Sequence, residues 1–227
     1  MEIFHLLHCY TRMRDTKTDY KNIALAKLVQ QLRHDIDLHR LIGLNLKALE
    51  KSEISNFLLG HIQNLAHGSI AICICKIYED SRRNELDSIP AIIESLPTLE
   101  LTAEQKQKIT EFGMLYGNAS KLTDTKSYLK GALGLFIGIH SATFDRLKKY
   151  RDKIGAHSES KVKIDSLPSH DEFETLFSFA KDIYEVVSET IIDVHPAVIC
   201  RQVGKGFFKL MQSMGIDEPA FNFEEKA

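Results

Sequence analysis

Apolar residues in this chain recur at intervals of three and four, and alternating patterns are nearly absent, which restricts the fold to helices. Leu25, Val29, Leu32 and Ile36, with Leu28 beside them, predict a helix over Tyr20 to Leu49. Ile54, Leu58, Ile62, Leu65, Ile72 and Cys75 carry a second helix toward Tyr78, with Ser52 as its N-cap. A polar loop over residues 80–84 then leads to Pro90 and Pro97. Thr102 with Gln105 predicts a capping box that opens a third helix, running to about Leu122. The fourth spans Thr125 to Ile154, with Phe136, Phe144, Leu147 and Ile154 as core candidates. Gly131, Gly134 and Gly138 lie inside it at up to about 1 kcal/mol each, so close packing or a kink is expected there.

Ser169 with Glu172 opens a fifth helix through Asp193, buried on Phe173, Leu176, Phe179, Ala180 and Ile183. Pro196 ends it, and a shorter amphipathic segment follows over Val198 to Met214. The tail after Gly215, with Pro219, Glu224 and Glu225, reads as loose. The economical architecture is all-α. A helical bundle occupies residues 1–195, and a short C-terminal helical appendage with its tail occupies 196–227.

Hydrophobic residues at 44% and charged residues at 26% exclude a disordered chain, and a net charge of −2 means that a polyanion site must come from local clustering. Cys73 and Cys75 point to different sides of a helix, and with Cys9 and Cys200 they match no zinc-ligand spacing. Reduced thiols in a cytoplasmic protein are the simple expectation. The first eight residues hold Glu2, His5 and His8 where a secretory signal needs a basic start and an apolar run. The unbroken apolar runs, Ile70 to Cys75 and Ala132 to Ile139, fall short of the roughly 18 residues that span a bilayer, so no membrane association is expected.

The chain changes character at Leu147-Lys148-Lys149-Tyr150-Arg151-Asp152-Lys153-Ile154-Gly155-Ala156-His157-Ser158. Between Arg146 and Lys163 seven basic residues stand against Asp152 and Glu159, the strongest basic cluster present. Much of it reads as solvated helix surface. Arg151 is different, because it shares a face with Leu147 and Phe144. A guanidinium beside an apolar stripe must be paired or must line a cavity, and a structural salt bridge is one way to satisfy it. His157 follows six residues later. In an unbroken helix the two side chains point about 120° apart with about 9 Å of rise between them, and could not share a substrate. A helix break at Gly155, or two copies of the site facing each other, would bring them together.

Arg151 to His157, with the polar Asp152 directly after the arginine, resembles the arginine–histidine signature of the HEPN superfamily. The phrase from Leu147 to Ser158 is similar to its abortive-infection, AbiU-like branch. So are Lys76 to Asn84, Ser88-Ile89-Pro90 and the late helix from His170 to Ile191. The resemblance spans roughly Tyr20 to Asp193. It implies a HEPN-like helical bundle that pairs as a homodimer with the motifs facing each other. It also implies a metal-independent endoribonuclease, without cofactor, of a toxin–antitoxin or antiphage system, so an antitoxin protein is a conceivable partner. On that likeness Arg151 and His157 are the catalytic pair and Asp152 is an accessory, with RNA as substrate. Lys148, Lys149, Lys153, Arg82 and Arg83 are the RNA-binding candidates, and Glu79 and Asp80 either line the same cleft or make loop salt bridges. The alternative is a non-catalytic module of the same shape that binds RNA, a nucleotide or a partner protein.

The remaining candidates read as structure. His61 with His67, and His34 with His39, lack carboxylates in register and read as core or surface histidines. Gly204-Lys205-Gly206 follows no strand and reads as a turn. Phe207, Phe208, Leu210, Met211 and Met214 form a stripe that packs on the bundle, with partner binding as the minority reading. A metal-dependent bundle enzyme lacks the inward Glu-x-x-His pairs such sites use.

Overall fold

The computed structural model describes residues 17–51, 56–80, 87–156, 167–216 and 219–221, and among them all regular structure is helical. The elements are α1 (Lys17–Leu44), α2 (Leu46–Leu49), α3 (Asn56–Tyr78), α4 (Ile89–Ser95), α5 (Ala103–Leu115), α6 (Thr125–Ile139), α7 (Ser141–Ala156), α8 (His170–Val187), a π-helical turn (Ser188–Ile192) and α9 (Gln202–Ser213).

The centre of the molecule is an antiparallel hairpin of α1 and α3. Ser69 donates to Asp35 at 2.6 Å, and further along His67 faces His39. Helix α7 runs antiparallel to α3, since Phe144 meets Tyr78 while Tyr150 meets His67. Helix α8 lies across both helices of the hairpin. The main core gathers Leu25, Val29, Leu32 and Ile36 of α1 with Ile70, Ile74 and Ile77 of α3, and it closes on Leu147 and Phe173. Phe179 of α8 is its aromatic hub, stacked on Phe136 at 4.0 Å and edge-on to Tyr116 at 4.6 Å. A smaller core of Leu41, Ile42, Leu49, Leu59 and Met211 seats α9 on the far end of the hairpin. Phe57–Tyr78 is the one described segment long and apolar enough to cross a bilayer, and its inner face, from Ile70 to Tyr78, is the core side of α3.

Both capping boxes form as the sequence predicts, with Thr102 accepting from Gln105 and Ser169 from Glu172. Several boundaries differ. The third expected helix stops at Leu115, because Gly117 takes φ +81° and Asn118 N–H reaches back to the Gly113 carbonyl at 2.8 Å. That is the Schellman closure. The region read as a loop before Pro97 contains α4, started by the Ser88 side chain on Ala91 N–H with Pro90 in the first turn. The single helix expected over 125–154 is two helices that meet at His140, two residues after Gly138. The fifth helix closes through its π turn at Asp193, which takes φ 58°, ahead of Pro196. Gly204-Lys205-Gly206 lies inside α9 rather than in a turn. The Phe207-to-Met214 stripe packs as expected except at Leu210, which is exposed. Part of the tail is held: Asn45 accepts Ala220 N–H at 2.7 Å, and Phe221 lies under the guanidiniums of Arg40 and Arg201. The Ser52 cap lies outside the described residues.

Two glycines separate packing from propensity. A Cβ on Gly113 would run into the ring and hydroxyl of Tyr128, which is fixed by bonds to Thr110 and Asn118, whereas a Cβ on Gly134 would meet nothing. Gly134→Ala is therefore expected to raise stability by about 0.5–1 kcal/mol, and Gly113→Ala to lower it by about 1–3 kcal/mol. Urea unfolding followed by helical circular dichroism checks both signs.

Candidate functional site

Arg151 sits near the C-terminal end of α7, one turn beyond the fully buried Leu147. Its placement beside the apolar stripe holds, and the structure shows how the charge is satisfied. Nη1 donates to both carboxylate oxygens of Glu79 at 3.1 Å, just past the end of α3. Nε and Nη2 reach Asp152 Oδ1 at 3.0 Å. The site is half-open, with side-chain exposures of 29% for Arg151 and 41% for Glu79. Partial burial by itself lowers the Arg151 pKa, and the carboxylates of Asp152 and Glu79 outweigh it, so the group is held above its ordinary value. Arg151 carries its charge at every accessible pH.

Lys148 and Lys149 are exposed on the outer face of α7. Lys153 also lies in α7, and its side chain is not among the described ones. His157, Arg82 and Arg83 fall outside the described residues. Helix α7 stays helical through Gly155 and Ala156, so of the two arrangements that would bring Arg151 and His157 together, a break at Gly155 does not occur and two facing copies remain. Arg146, counted in the basic cluster, is a structural cation. It bonds the Glu172 carboxylate, which also accepts Thr143 Oγ1 at 2.6 Å and Ser169 N–H at 2.7 Å. Burial alone would raise the Glu172 pKa, yet these donors bring it down to about 2. One carboxylate thus caps α8 and ties it to α7.

The Cys75 thiol feels the Arg151 charge but is pushed up by burial, which argues against a poised thiolate. Among the described residues, no group of three or more histidines, cysteines and carboxylates could hold a metal ion.

Sequence reasoning missed two clusters. His39 and His67, each considered with a neighbour on its own helix, face each other across the hairpin, with Tyr150 and Phe173 against His67. Arg33 bridges Asp37 at 2.5 Å and Glu174 at 2.7 Å, while Arg201 binds the same fully buried Asp37 at 2.8 Å. The four-residue spacing of Arg33 and Asp37 was the available signal for the second cluster. No family model matches this chain, and no curated protein or solved structure matches it either.

The two arginine sites should respond differently to truncation. Arg151→Ala is expected to cost no more than about 1 kcal/mol, because its ion pairs are partly exposed. Asp37→Ala, which strips two guanidiniums of a buried partner, is expected to cost about 3 kcal/mol or more. Urea midpoints of the two variants at neutral pH test this order.

Proposed function

We propose that the chain is a metal-independent endoribonuclease of the HEPN type, acting in the cytoplasm as a homodimeric toxin or antiphage effector. The observation that carries this reading is the state of Arg151. It is a permanently charged guanidinium, oriented by carboxylates from two helices, left partly open to solvent and flanked by exposed Lys148 and Lys149. Such a group can fork two donors onto phosphate oxygens.

RNA supplies its own nucleophile, so a protein need only move protons and stabilise charge. The 2′-oxygen attacks phosphorus, the bond to the 5′-oxygen breaks, and the 2′-proton passes to a base. A proton is returned to the departing 5′-oxygen. Because α7 is unbroken through Ala156, the two groups would meet on one phosphate across the proposed homodimer, with Arg151 of one copy taking the phosphorane charge and His157 of the facing copy the proton transfers, worth about 10²–10⁴-fold. Asp152 and Glu79 aim the guanidinium. Lys148, Lys149, Lys153, Arg82 and Arg83 would contact the RNA backbone, and an antitoxin would act by covering this face.

A second reading has its own observation. Both arms of Arg151 are already occupied, as in a purely structural ion pair. That favours a HEPN-like module that binds RNA, a nucleotide or a partner protein without cutting.

Purified protein with excess chelator is expected to cleave single-stranded RNA to 2′,3′-cyclic phosphate and 5′-hydroxyl ends. Arg151→Ala and His157→Ala should each abolish cleavage while helicity persists. Cleavage that survives either substitution, or its absence in the wild-type chain across varied RNAs, sinks the nuclease reading.

A further inference from the structure

His39, His67 and Tyr150 meet where α1, α3, α7 and α8 converge. His67 Nδ1 lies 3.4 Å from His39 Nε2, and the two rings pack edge to face at 5.2 Å. Tyr150 of α7 closes one side of His67 at 5.1 Å and Phe173 of α8 another at 5.3 Å. His67 is only 6% exposed, and its Nε2 has no hydrogen-bond partner. A buried polar atom left in this way calls for an explanation.

The surrounding charges offer no relief for a proton taken up here. From α8, His170 bears on His39, and its Nε2 lies 3.2 Å from Glu174 Oε1 but off the line of a hydrogen bond. Glu174 is taken by both arms of Arg33 and has Arg40 at 4.0 Å. One turn along α1 from His39, Asp35 accepts from Ser69 of α3 and from Gln31. On α7, Arg146 and Arg151 are engaged elsewhere, with Glu172 and Glu79, and the group that meets His67 is the Tyr150 ring. No unengaged carboxylate faces the imidazole pair among the groups that bear on it. An imidazolium at His67 would therefore be unpaired in a buried site whose nearest titratable neighbour is another imidazole.

We propose that His39, His67 and Tyr150 form an acid-sensitive joint that holds the C-terminal turns of α7 on the hairpin at neutral pH and lets them go on acidification. Arg151 directly follows Tyr150, so the joint sets whether Arg151 keeps its place beside Glu79. Its consequence for RNA cleavage rests on the nuclease reading; the joint itself does not.

Burial, and after it the neighbouring His39, pushes the His67 pKa down to about 4, and burial also lowers that of His39. A folded-state value below the unfolded one means that the neutral ring favours the fold. That contribution is complete above the ordinary value of 6.5 and is lost as pH falls from there toward about 4.

Hydrogen exchange of the full chain, corrected for the intrinsic rate, reads the joint directly. Between pH 7.5 and pH 5, peptides from residues 147–156 are expected to lose protection by about tenfold or more, while those from α5 and α6 keep theirs. His67→Gln, or His39→Gln if the first variant does not fold, should flatten this pH dependence. Uniform loss across the helices, no loss in α7, or an unchanged pH slope in the folded variant overturns the proposal. Exchange that behaves as expected in a chain that never cuts RNA leaves the joint standing and removes the nuclease. Cleavage with flat exchange does the reverse.

Discussion

Asp37 is the residue that the rest of the packing must accommodate. Its carboxylate has no exposure, two turns from the C-terminal end of α1, the longest of the described helices, and an unpaired charge there would cost several kcal/mol. Arg33 on the preceding turn and Arg201 from the approach to α9 both bind it, and Arg33 extends the network to Glu174 on α8. Three segments far apart in the chain are thereby fixed by one buried charge. The apolar side agrees with this arrangement, since Phe177 lies under the Arg33 guanidinium at 4.7 Å, so displacing α8 breaks packing and ion pairs together. Buried ion pairs contribute little net stability against an apolar replacement, but breaking one is expensive. The clamp therefore specifies how the helices dock more than it strengthens their docking.

With α8 placed, two further carboxylates locate α7. Glu172 holds Arg146 near the start of α7 while capping α8, and Glu79 holds Arg151 near its end. Leu147 and Phe144 are buried between these two tethers. The helix that carries the candidate arginine is thus fixed in rotation and in slide. A single substitution at either tether leaves the other in place.

The all-helical fold was legible because periodicity and caps are local: Thr102 and Ser169 lie three residues from their partners and form the predicted boxes. Some errors were also local. Gly117-Asn118 is a stop signal inside the stretch expected to be the third helix, and Ser88-Ile89-Pro90 is a start signal inside the stretch expected to be loop. The division at His140 was anticipated only as a kink near the glycines, because no proline marks it. The site was legible in part. The position of Arg151 followed from its phase with Leu147 and Phe144, but Glu79 is 72 residues away, and only the antiparallel docking of α3 and α7 brings it there. The His39–His67 pair was hidden for the same reason, since the spacing within each helix says nothing about the register of the hairpin.

Glu79 and Asp152 together raise the question of whether Arg151 can serve an anion at all. Two carboxylates on one guanidinium leave the immediate site with an excess negative charge, which disfavours the approach of a phosphate. The magnitudes favour access. Ion pairs this exposed are worth about 0–1 kcal/mol each, since water competes for both partners. Two charge-assisted bonds from a guanidinium to a phosphate are individually stronger, and under the proposed function a polynucleotide held by Lys148 and Lys149 would present its phosphate at high local concentration. Glu79 accepts through a single nitrogen, Nη1, so its departure frees one arm while Asp152 still fixes Nε and Nη2. The arginine is oriented by bonds weak enough to exchange, which is the condition a phosphate-binding residue has to meet.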